Sequence, residues 1–189
     1  MQRYILTGAP GAGKTVLIRA LERAGHVVVE EAATDVIALL TGQGVAEHWN
    51  EPSFIEEIVT LQVRRERRAA AWVDDIVFFD RSPICTWALC EYADRIPPDS
   101  LVQEMQRIER EGVYQRRVFF IRNLGFVTPT EARRISFEDT LRFEDVHAEV
   151  YRRFGYELVD VPAASLDERL AIITAAIGPQ QKSPPTRLS

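Results

Sequence analysis

The segment GAPGAGKT, from Gly8 to Thr15, carries the residue types that bind phosphate. Glycines let successive backbone N–H groups turn inward around an anion, because they have no Cβ atom to clash with the neighbouring backbone. Lys14 is long enough to reach the β- and γ-phosphates, and Thr15 offers a hydroxyl to a magnesium ion. The segment fits the pattern G-x-x-x-x-G-K-[ST] at every fixed position, so we expect a nucleoside triphosphate to bind here rather than a simple glycine-rich turn.

Acidic residues follow the next two apolar segments, where strands are predicted to end. Asp80 closes the apolar run 76–79. Glu30 and Glu31 follow the apolar run 27–29. In open α/β sheets, ligands collect beyond the carboxyl ends of the strands. We therefore interpret Asp80 as a carboxylate that holds magnesium directly or through water, with capping of the following helix as the alternative.

Charged side chains beside Asp80 extend this chemistry. Arg81 can hold an anionic substrate or the transferring phosphoryl group, or it can pair with Glu30 or Glu31. Strand alternation lets only one of the two glutamates face the site, where it would accept a proton from an attacking hydroxyl. We expect Glu31 to be this general base. Glu30 then contacts the substrate or the positive end of the following helix.

Three more polar residues are candidates for contacts with substrate. Gln62 lies on an apolar helical stripe, so its amide either reads the edge of a ring or pairs with backbone in the core. Arg133 and Arg134 follow the irregular segment 123–130, which we interpret as a short lid. Arginines on a closing segment can stabilise charge that develops on a phosphoryl group, and the alternative for each is a surface ion pair.

Predicted strands and helices alternate along almost the whole chain, which indicates parallel strands covered by helices on both faces. The predicted strands are 3–7, 26–30, 75–80, 117–122 and 156–160. The predicted helices are 14–24, 34–41, 52–73, 83–93, 100–111, 136–154 and 165–177. We interpret residues 1–177 as one α/β domain, and residues 178–189, rich in Pro, Ser and Gln, as a flexible tail.

Composition narrows the class of protein. Of the 189 residues, 46% are hydrophobic and 27% are charged, which is the balance of a folded domain. The net charge of −5 argues against a nucleic-acid partner, and we interpret the run Arg64–Arg68 as a solvated helix face. No apolar run approaches the roughly 20 residues that span a bilayer. Cys85 and Cys90 have no second Cys or His pair nearby, so we expect buried free thiols rather than zinc ligands. We expect a cytoplasmic protein without membrane attachment, as a monomer or a homodimer.

The motifs together resemble a known group of enzymes. GAPGAGKT, the glutamates of VVVEEAATDVI, Gln62 in FIEEIVTLQ, FFDRSP, the two arginines after the lid and GYELVDVP occur in that order. The sequence is similar to the P-loop kinase branch that includes deoxynucleoside, thymidylate and ribosylnicotinamide kinases, and in particular to the bacterial AAA_28 group of predicted ATPases. The resemblance extends from about residue 3 to residue 177.

This resemblance implies a three-layer α/β fold, in which a five-stranded parallel sheet has the order 2-3-1-4-5 and a short lid follows the fourth strand. It implies ATP and Mg²⁺ as cofactors, with the adenine against the loop after the last strand. The expected nucleotide-binding residues are Gly8, Ala9, Pro10, Gly11, Ala12, Gly13, Lys14, Thr15, Val16 and Pro162.

The resemblance also implies roles for the other candidates. Glu31 is the base, Gln62 reads the acceptor, and Asp80 and Arg81 serve the metal and the acceptor. The lid arginines Arg133 and Arg134, with Lys14, complete the catalytic set. The sequence departs from nucleoside kinases in having Asp-Arg-Ser where they usually have Glu-Arg-Ser, and Glu-Ala where they have Glu-Pro. These departures leave the identity of the acceptor open.

We therefore expect an ATP-dependent kinase that transfers the γ-phosphoryl group to a small, nucleoside-like acceptor. Two alternatives stay open. One is an NTP-binding switch that hydrolyses slowly and acts on a protein partner. The other is a polynucleotide kinase that acts on a strand end, which the acidic charge balance disfavours.

Overall fold

A computed structural model describes residues 1–71, 75–123 and 137–178. The strands are β1 (Gln2–Thr7), β2 (Val27–Val29), β3 (Ile76–Asp80), β4 (Arg117–Ile121) and β5 (Glu157–Val161). The helices are α1 (Lys14–Arg23), α2 (Ala32–Gly42), α3 (Phe54–Ala69), α4 (Pro83–Tyr92), α5 (Asp99–Glu111), α6 (Phe137–Arg153) and α7 (Leu166–Ile177). A short 3-10 helix, His48–Asn50, precedes α3 and was not predicted.

The five strands form one parallel sheet in the order β2-β3-β1-β4-β5, which confirms the predicted fold class and strand order. β1 lies at the centre, between β3 and β4. Leu6 of β1 is in register with Asp80, the last residue of β3. The loop that leaves β1 therefore starts beside the carboxyl ends of both neighbouring strands, where the chain places its charged candidates.

Alternate residues of the strands face two separate layers of helices. Ile5 of β1 packs into a core that includes residues of α2, α3, α4, α5 and α6. Leu6, the next residue, packs on the opposite face with Leu17 of α1 and Ile173 of α7. Burial of both faces explains why the strands are continuous apolar runs, and it gives the three-layer arrangement.

One part of the predicted solvated helix face is instead buried. Glu66 of α3 is 3% exposed and forms ion pairs with Arg3 of β1 and Arg107 of α5. The interpretation of the run 64–68 as a solvated helix face was therefore wrong at Glu66. The carboxylate tolerates burial because two guanidinium groups neutralise it and donate hydrogen bonds to it.

Some predictions fall outside the described ranges. The lid arginines Arg133 and Arg134 lie there, as do residues 179–189 of the predicted tail. Among the helices that the structure describes, none combines the length and the apolar character needed to cross a bilayer.

Candidate functional site

The predicted phosphate loop connects β1 to α1 and has the backbone of an anion-binding turn. Gly8 and Gly13 adopt positive φ angles of 135° and 82°. A Cβ atom on Gly8 would lie 2.2 Å from the carbonyl oxygen of Ile121, so the end of β4 packs directly against the loop. Arg169 of α7 donates a hydrogen bond of 2.9 Å to the carbonyl oxygen of Ala12 and holds the other side of the turn. The loop is thus supported by elements distant in sequence.

The side chains that leave this loop differ in exposure. Lys14 is 6% exposed, and its Nζ donates to the carbonyl oxygens of Gly8 at 3.0 Å and Ala9 at 2.8 Å. Burial, together with the positive charge of Arg81, lowers the pKa of Lys14 to about 8. Thr15 and Val16 are exposed at the first turn of α1. The ammonium group therefore lies over the loop, while the hydroxyl at Thr15 is free to meet a ligand.

Asp80 is a buried carboxylate at the end of β3. It is 8% exposed, and its Oδ1 atom has no hydrogen-bond partner within the described residues. Burial raises the pKa of Asp80 to about 6, even though Lys14 and Arg81 attract its charge. A buried carboxylate oxygen without a partner is costly, and a cation would satisfy it.

Asp80 and Thr15 face one cleft, which we name the acidic cleft. Its volume is about 370 Å³, and it is lined by Thr15, Ile18, Arg19, Glu30, Glu31, Thr34, Asp35 and Asp80. Hard oxygen donors of this kind fit Mg²⁺, which usually takes only one or two protein ligands and completes its shell with phosphate and water. Within the described ranges, no group of three or more His, Cys, Asp or Glu residues could hold a metal by itself.

Arg81 and Glu31 form an ion pair where the ends of β3 and β2 meet. Arg81 has a φ of 69°, a left-handed conformation that is unusual for a residue with a side chain. Its backbone N–H donates a hydrogen bond of 3.0 Å to the carbonyl oxygen of Leu6. Burial raises the pKa of Glu31, but the charges of Arg81 and Lys14 outweigh burial and lower the pKa below its usual value. Glu31 is thus an ionised carboxylate that lines both the acidic cleft and the cavity described below.

Glu30 points to a different partner. It pairs with Arg19 of α1 at 2.5 Å, and its side chain is 53% exposed. Glu31 is the N-cap residue of α2 and its side chain is 21% exposed. The two adjacent glutamates, which follow the end of β2 at Val29, therefore face different surroundings, and of the two only Glu31 contacts Arg81.

A second recess, which we name the apolar cavity, shares Glu31 with the acidic cleft and is also lined by Arg81. Its volume is about 510 Å³. Its aromatic lining residues are His48, Trp49, Phe54, Tyr92 and Phe143. Its polar lining residues include Glu31, Gln62, Arg81, Cys85 and Thr86. A recess with aromatic walls and a few polar groups is typical of a site for a small organic molecule.

Gln62 is one of these polar groups. Thr86 of α4 donates a hydrogen bond of 3.0 Å to its Oε1 atom, and both residues line the apolar cavity. The partner of Gln62 is thus a side chain and not the backbone that the core interpretation expected, and Gln62 also lies beside a ligand-sized cavity. Sequence reasoning missed Thr86, because a threonine within the predicted helix 83–93 belongs to no recognisable motif.

Two further residues beside Arg81 were not predicted as part of a site. Arg81 Nη1 lies 3.0 Å from the sulfur of Cys85, and His147 Nε2 lies 3.0 Å from the same sulfur. Both cysteines are free and buried, as predicted. The position of Cys85, four residues after Arg81 and in the first turn of the next helix, was a usable signal. His147 gave none, because it reaches the cluster from α6.

The remaining candidates lie at the edge of the site or outside the described ranges. Pro162 is exposed and directly follows β5, at the same edge of the sheet as the phosphate loop. Arg133 and Arg134 have no described position. The structure thus brings Lys14, Glu31, Asp80 and Arg81 into one group of mutually interacting charges.

Comparisons with known proteins agree with this fold. A family model described as an AAA domain matches residues 3–169. Among solved structures, the chain is similar to a deoxyadenosine kinase from M. mycoides with the products dCMP and a flexible dCDP bound. The identity is 12%, the TM-score is 0.61, and the match covers 93% of this chain and 98% of that one. A search of curated proteins finds no match.

The chain is also similar to NadR in two complexes. With NAD and AMP-PNP bound, the identity is 17%, the TM-score is 0.63, and the match covers 100% of this chain and 51% of NadR. With NR bound, the identity is 18%, the TM-score is 0.59, and the match covers 85% of this chain and 43% of NadR. The chain spans about half the length of NadR. Identities this low show a shared fold alone.

Proposed function

The chain belongs to the AAA_28 family, and we propose that it is a P-loop kinase that transfers the γ-phosphoryl group of ATP to a hydroxyl of a small, nucleoside-like acceptor. One observation carries the proposal: the phosphate loop and a ligand-sized apolar cavity meet at the Glu31–Arg81 ion pair. A phosphate site alone would suit any NTPase. A separate organic site beside it supports a second substrate.

The apolar cavity suits an acceptor with a flat ring. Its volume of about 510 Å³ lies within the usual range for small-molecule sites, roughly 300–1,000 Å³. Aromatic side chains such as Trp49 and Phe54 offer faces and edges for stacking. Gln62 can hydrogen-bond the ring edge with the part of its amide that Thr86 leaves available.

ATP would bind with its phosphates in the loop 8–15. Lys14 and the positive end of α1 neutralise phosphate charge there. Asp80 and Thr15 would hold Mg²⁺, and this ion supplies further charge neutralisation when bound. The adenine lies near Pro162 in this proposal, and Arg133 and Arg134 are assigned to the lid.

The residues between the two sites would perform the transfer. Glu31, ionised at neutral pH because its pKa is lowered, accepts the proton of the acceptor hydroxyl. Burial lowers the pKa of Arg81, but the surrounding anionic groups outweigh burial and raise the pKa, so Arg81 stays charged and offers N–H donors to the transferring group. Catalysis is therefore mainly the positioning of two substrates and the stabilisation of phosphoryl charge.

The structural neighbours support the class of acceptor. A deoxyadenosine kinase with this fold was seen with dCMP and dCDP, and NadR was seen with NR and, separately, with AMP-PNP. We propose by analogy that a nucleoside or a related ribosyl compound is the acceptor here. The Asp-Arg-Ser sequence at 80–82 leaves open which one.

The test is a panel of nucleosides and ribosyl compounds, with ADP release measured in the presence of Mg²⁺ and ATP. We expect at least one acceptor to stimulate ADP release strongly. Glu31→Gln should lower kcat about 10²–10⁴-fold, whereas the matched variant Glu30→Gln should change kcat far less. Lys14→Ala should lower kcat by several powers of ten, because removal of even one fixed hydrogen-bond donor to developing charge costs about 10²–10³-fold.

Other outcomes would favour the alternatives. If ATP binds but no small acceptor increases ADP release, the chain is better described as an NTP-binding switch. Phosphorylation of oligonucleotide ends, without activity on free nucleosides, would support a polynucleotide kinase. Transfer at the parent rate by Lys14→Ala would contradict the proposed role of the loop in any of these functions.

A further inference from the structure

Cys85 lies in a buried cluster of charged and polar groups on the wall of the apolar cavity. The residue is 3% exposed, and its sulfur lies 3.0 Å from Arg81 Nη1, 3.0 Å from His147 Nε2 and 3.6 Å from Thr7 Oγ1. Thr7 and His147 are fully buried. Three polar groups therefore converge on one sulfur, which none of the steps proposed above uses.

The hydrogen bond on the other side of the His147 ring determines its role. Nδ1 lies 2.9 Å from the carbonyl oxygen of Phe143, and a carbonyl oxygen can only accept, so Nδ1 carries a proton. The neutral ring then has its lone pair on Nε2, which faces the sulfur. His147 is thus positioned to take the thiol proton from Cys85.

The charges around the sulfur favour the thiolate. Burial alone raises the pKa of the Cys85 thiol, but Arg81 and His147 outweigh burial and lower the pKa to about 6. Other titratable groups that interact with this sulfur within the described residues include Lys14, Asp80 and Tyr151. Geometry and charge therefore agree that Cys85 differs from an inert core thiol.

Cys90 provides an internal comparison five residues along the same helix. It is fully buried and is absent from the lining of the apolar cavity. Burial raises the pKa of Cys90 to about 11. One chain thus contains a thiol that is activated and reachable through a cavity, and a second thiol that is neither.

We propose that Cys85 is a modification site, at which small electrophiles or hydroperoxides that enter the apolar cavity react with the sulfur and displace Arg81 from it. With a hydroperoxide, the sulfur attacks the terminal oxygen, an S–O bond forms and the O–O bond breaks. The sulfur is oxidised by two electrons to a sulfenic acid. The leaving oxygen takes the proton that His147 Nε2 removed from the thiol, so hydrogen peroxide yields water.

The step is reversible by a small thiol. The thiol sulfur attacks the sulfenic sulfur, a disulfide forms and water leaves; a second thiol then releases Cys85. The consequence for catalysis rests on the proposed function. A modified sulfur no longer accepts the N–H of Arg81, and its added atoms occupy the cavity beside the Glu31–Arg81 pair. Acceptor turnover should therefore fall, while the phosphate loop stays intact.

The primary experiment measures labelling of the folded full-length chain by iodoacetamide at pH 7, with each cysteine quantified by peptide mass spectrometry. We expect Cys85 to react at least about tenfold faster than Cys90, because the thiolate is the reactive form. Cys90→Ala should leave the labelling rate of Cys85 unchanged. His147→Gln, checked for native circular dichroism, should slow it. Labelling of Cys85 no faster than that of Cys90 would overturn the proposal.

A second experiment uses hydrogen peroxide, with dimedone to trap the sulfenic acid. We expect a dimedone adduct on Cys85 and recovery of the free thiol with dithiothreitol when dimedone is left out. Oxidised protein should lose acceptor-stimulated ADP release but keep its affinity for ATP. Absence of an adduct on Cys85 counts against the site, whereas an adduct with unaltered turnover counts against the displacement of Arg81. The labelling results stand without any kinase activity, so failure of the proposed function is a separate outcome.

Discussion

Asp80 is predicted to destabilise the metal-free protein, so its replacement by asparagine should make the fold more stable. The carboxylate is 8% exposed, its Oδ1 atom has no hydrogen-bond partner within the described part of the chain, and burial raises its pKa from 3.8 to about 6. A raised pKa in the folded state means that folding is opposed whenever the group is ionised in the unfolded chain.

The size and the pH window follow from these two pKa values. Below about pH 3.8 the carboxyl is protonated in both states and has no effect on stability. Between about pH 3.8 and 6 the unfolded chain loses the proton first, so stability falls as pH rises. Above about pH 6 the loss is complete, and at about 1.4 kcal/mol per pKa unit it amounts to about 3 kcal/mol.

The assay is urea unfolding of the parent and of Asp80→Asn, in EDTA and without nucleotide. We expect the variant to be more stable by about 3 kcal/mol at pH 7.5 and by only about 1.6 kcal/mol at pH 5.0. Asp145→Asn, at an exposed position of α6, is the matched control and should change stability little at either pH. If Asp80→Asn is no more stable than the parent at both pH 7.5 and pH 5.0, the reasoning is refuted.

Two further substitutions test the packing around the site. Gly8→Ala places a Cβ atom 2.2 Å from the carbonyl oxygen of Ile121 at a φ of 135°, so we expect a loss of at least about 3 kcal/mol by thermal or urea unfolding. The control Gly42→Ala, where a Cβ atom meets nothing within 4 Å, should be neutral or stabilising. Glu66→Ala leaves two guanidinium groups without their carboxylate and should lower the free energy of unfolding by about 3 kcal/mol. The control Glu56→Ala, at an exposed position, should change it very little. Similar stability of these two variants would show that the buried ion pairs contribute little.

The features that depend on neighbouring residues were predictable from the sequence. The phosphate loop is one continuous segment, so its glycines and its position between a strand and a helix were predictable from the sequence, whereas the packing of Ile121 against Gly8 was not. The alternation of strands with helices predicted a doubly covered parallel sheet, because apolar runs buried on both faces have a distinct pattern. The order of the strands came from resemblance to known kinases, and the structure confirms it.

The environment of each site residue was decided by tertiary structure. Whether Glu30 or Glu31 contacts Arg81 depends on the backbone conformation between β2 and α2. A sequence pattern does not determine that conformation, so it cannot distinguish between the two adjacent residues. The contact of Cys85 with His147 joins positions 62 residues apart, and it exists only because α4 packs against α6. Local sterics act between neighbours along the chain, so the sequence by itself determined where the phosphate loop lies and which residues form it. The contacts of that loop with Ile121 and Arg169, and the partners of the charged residues, form only when distant elements pack, and that packing belongs to the fold as a whole.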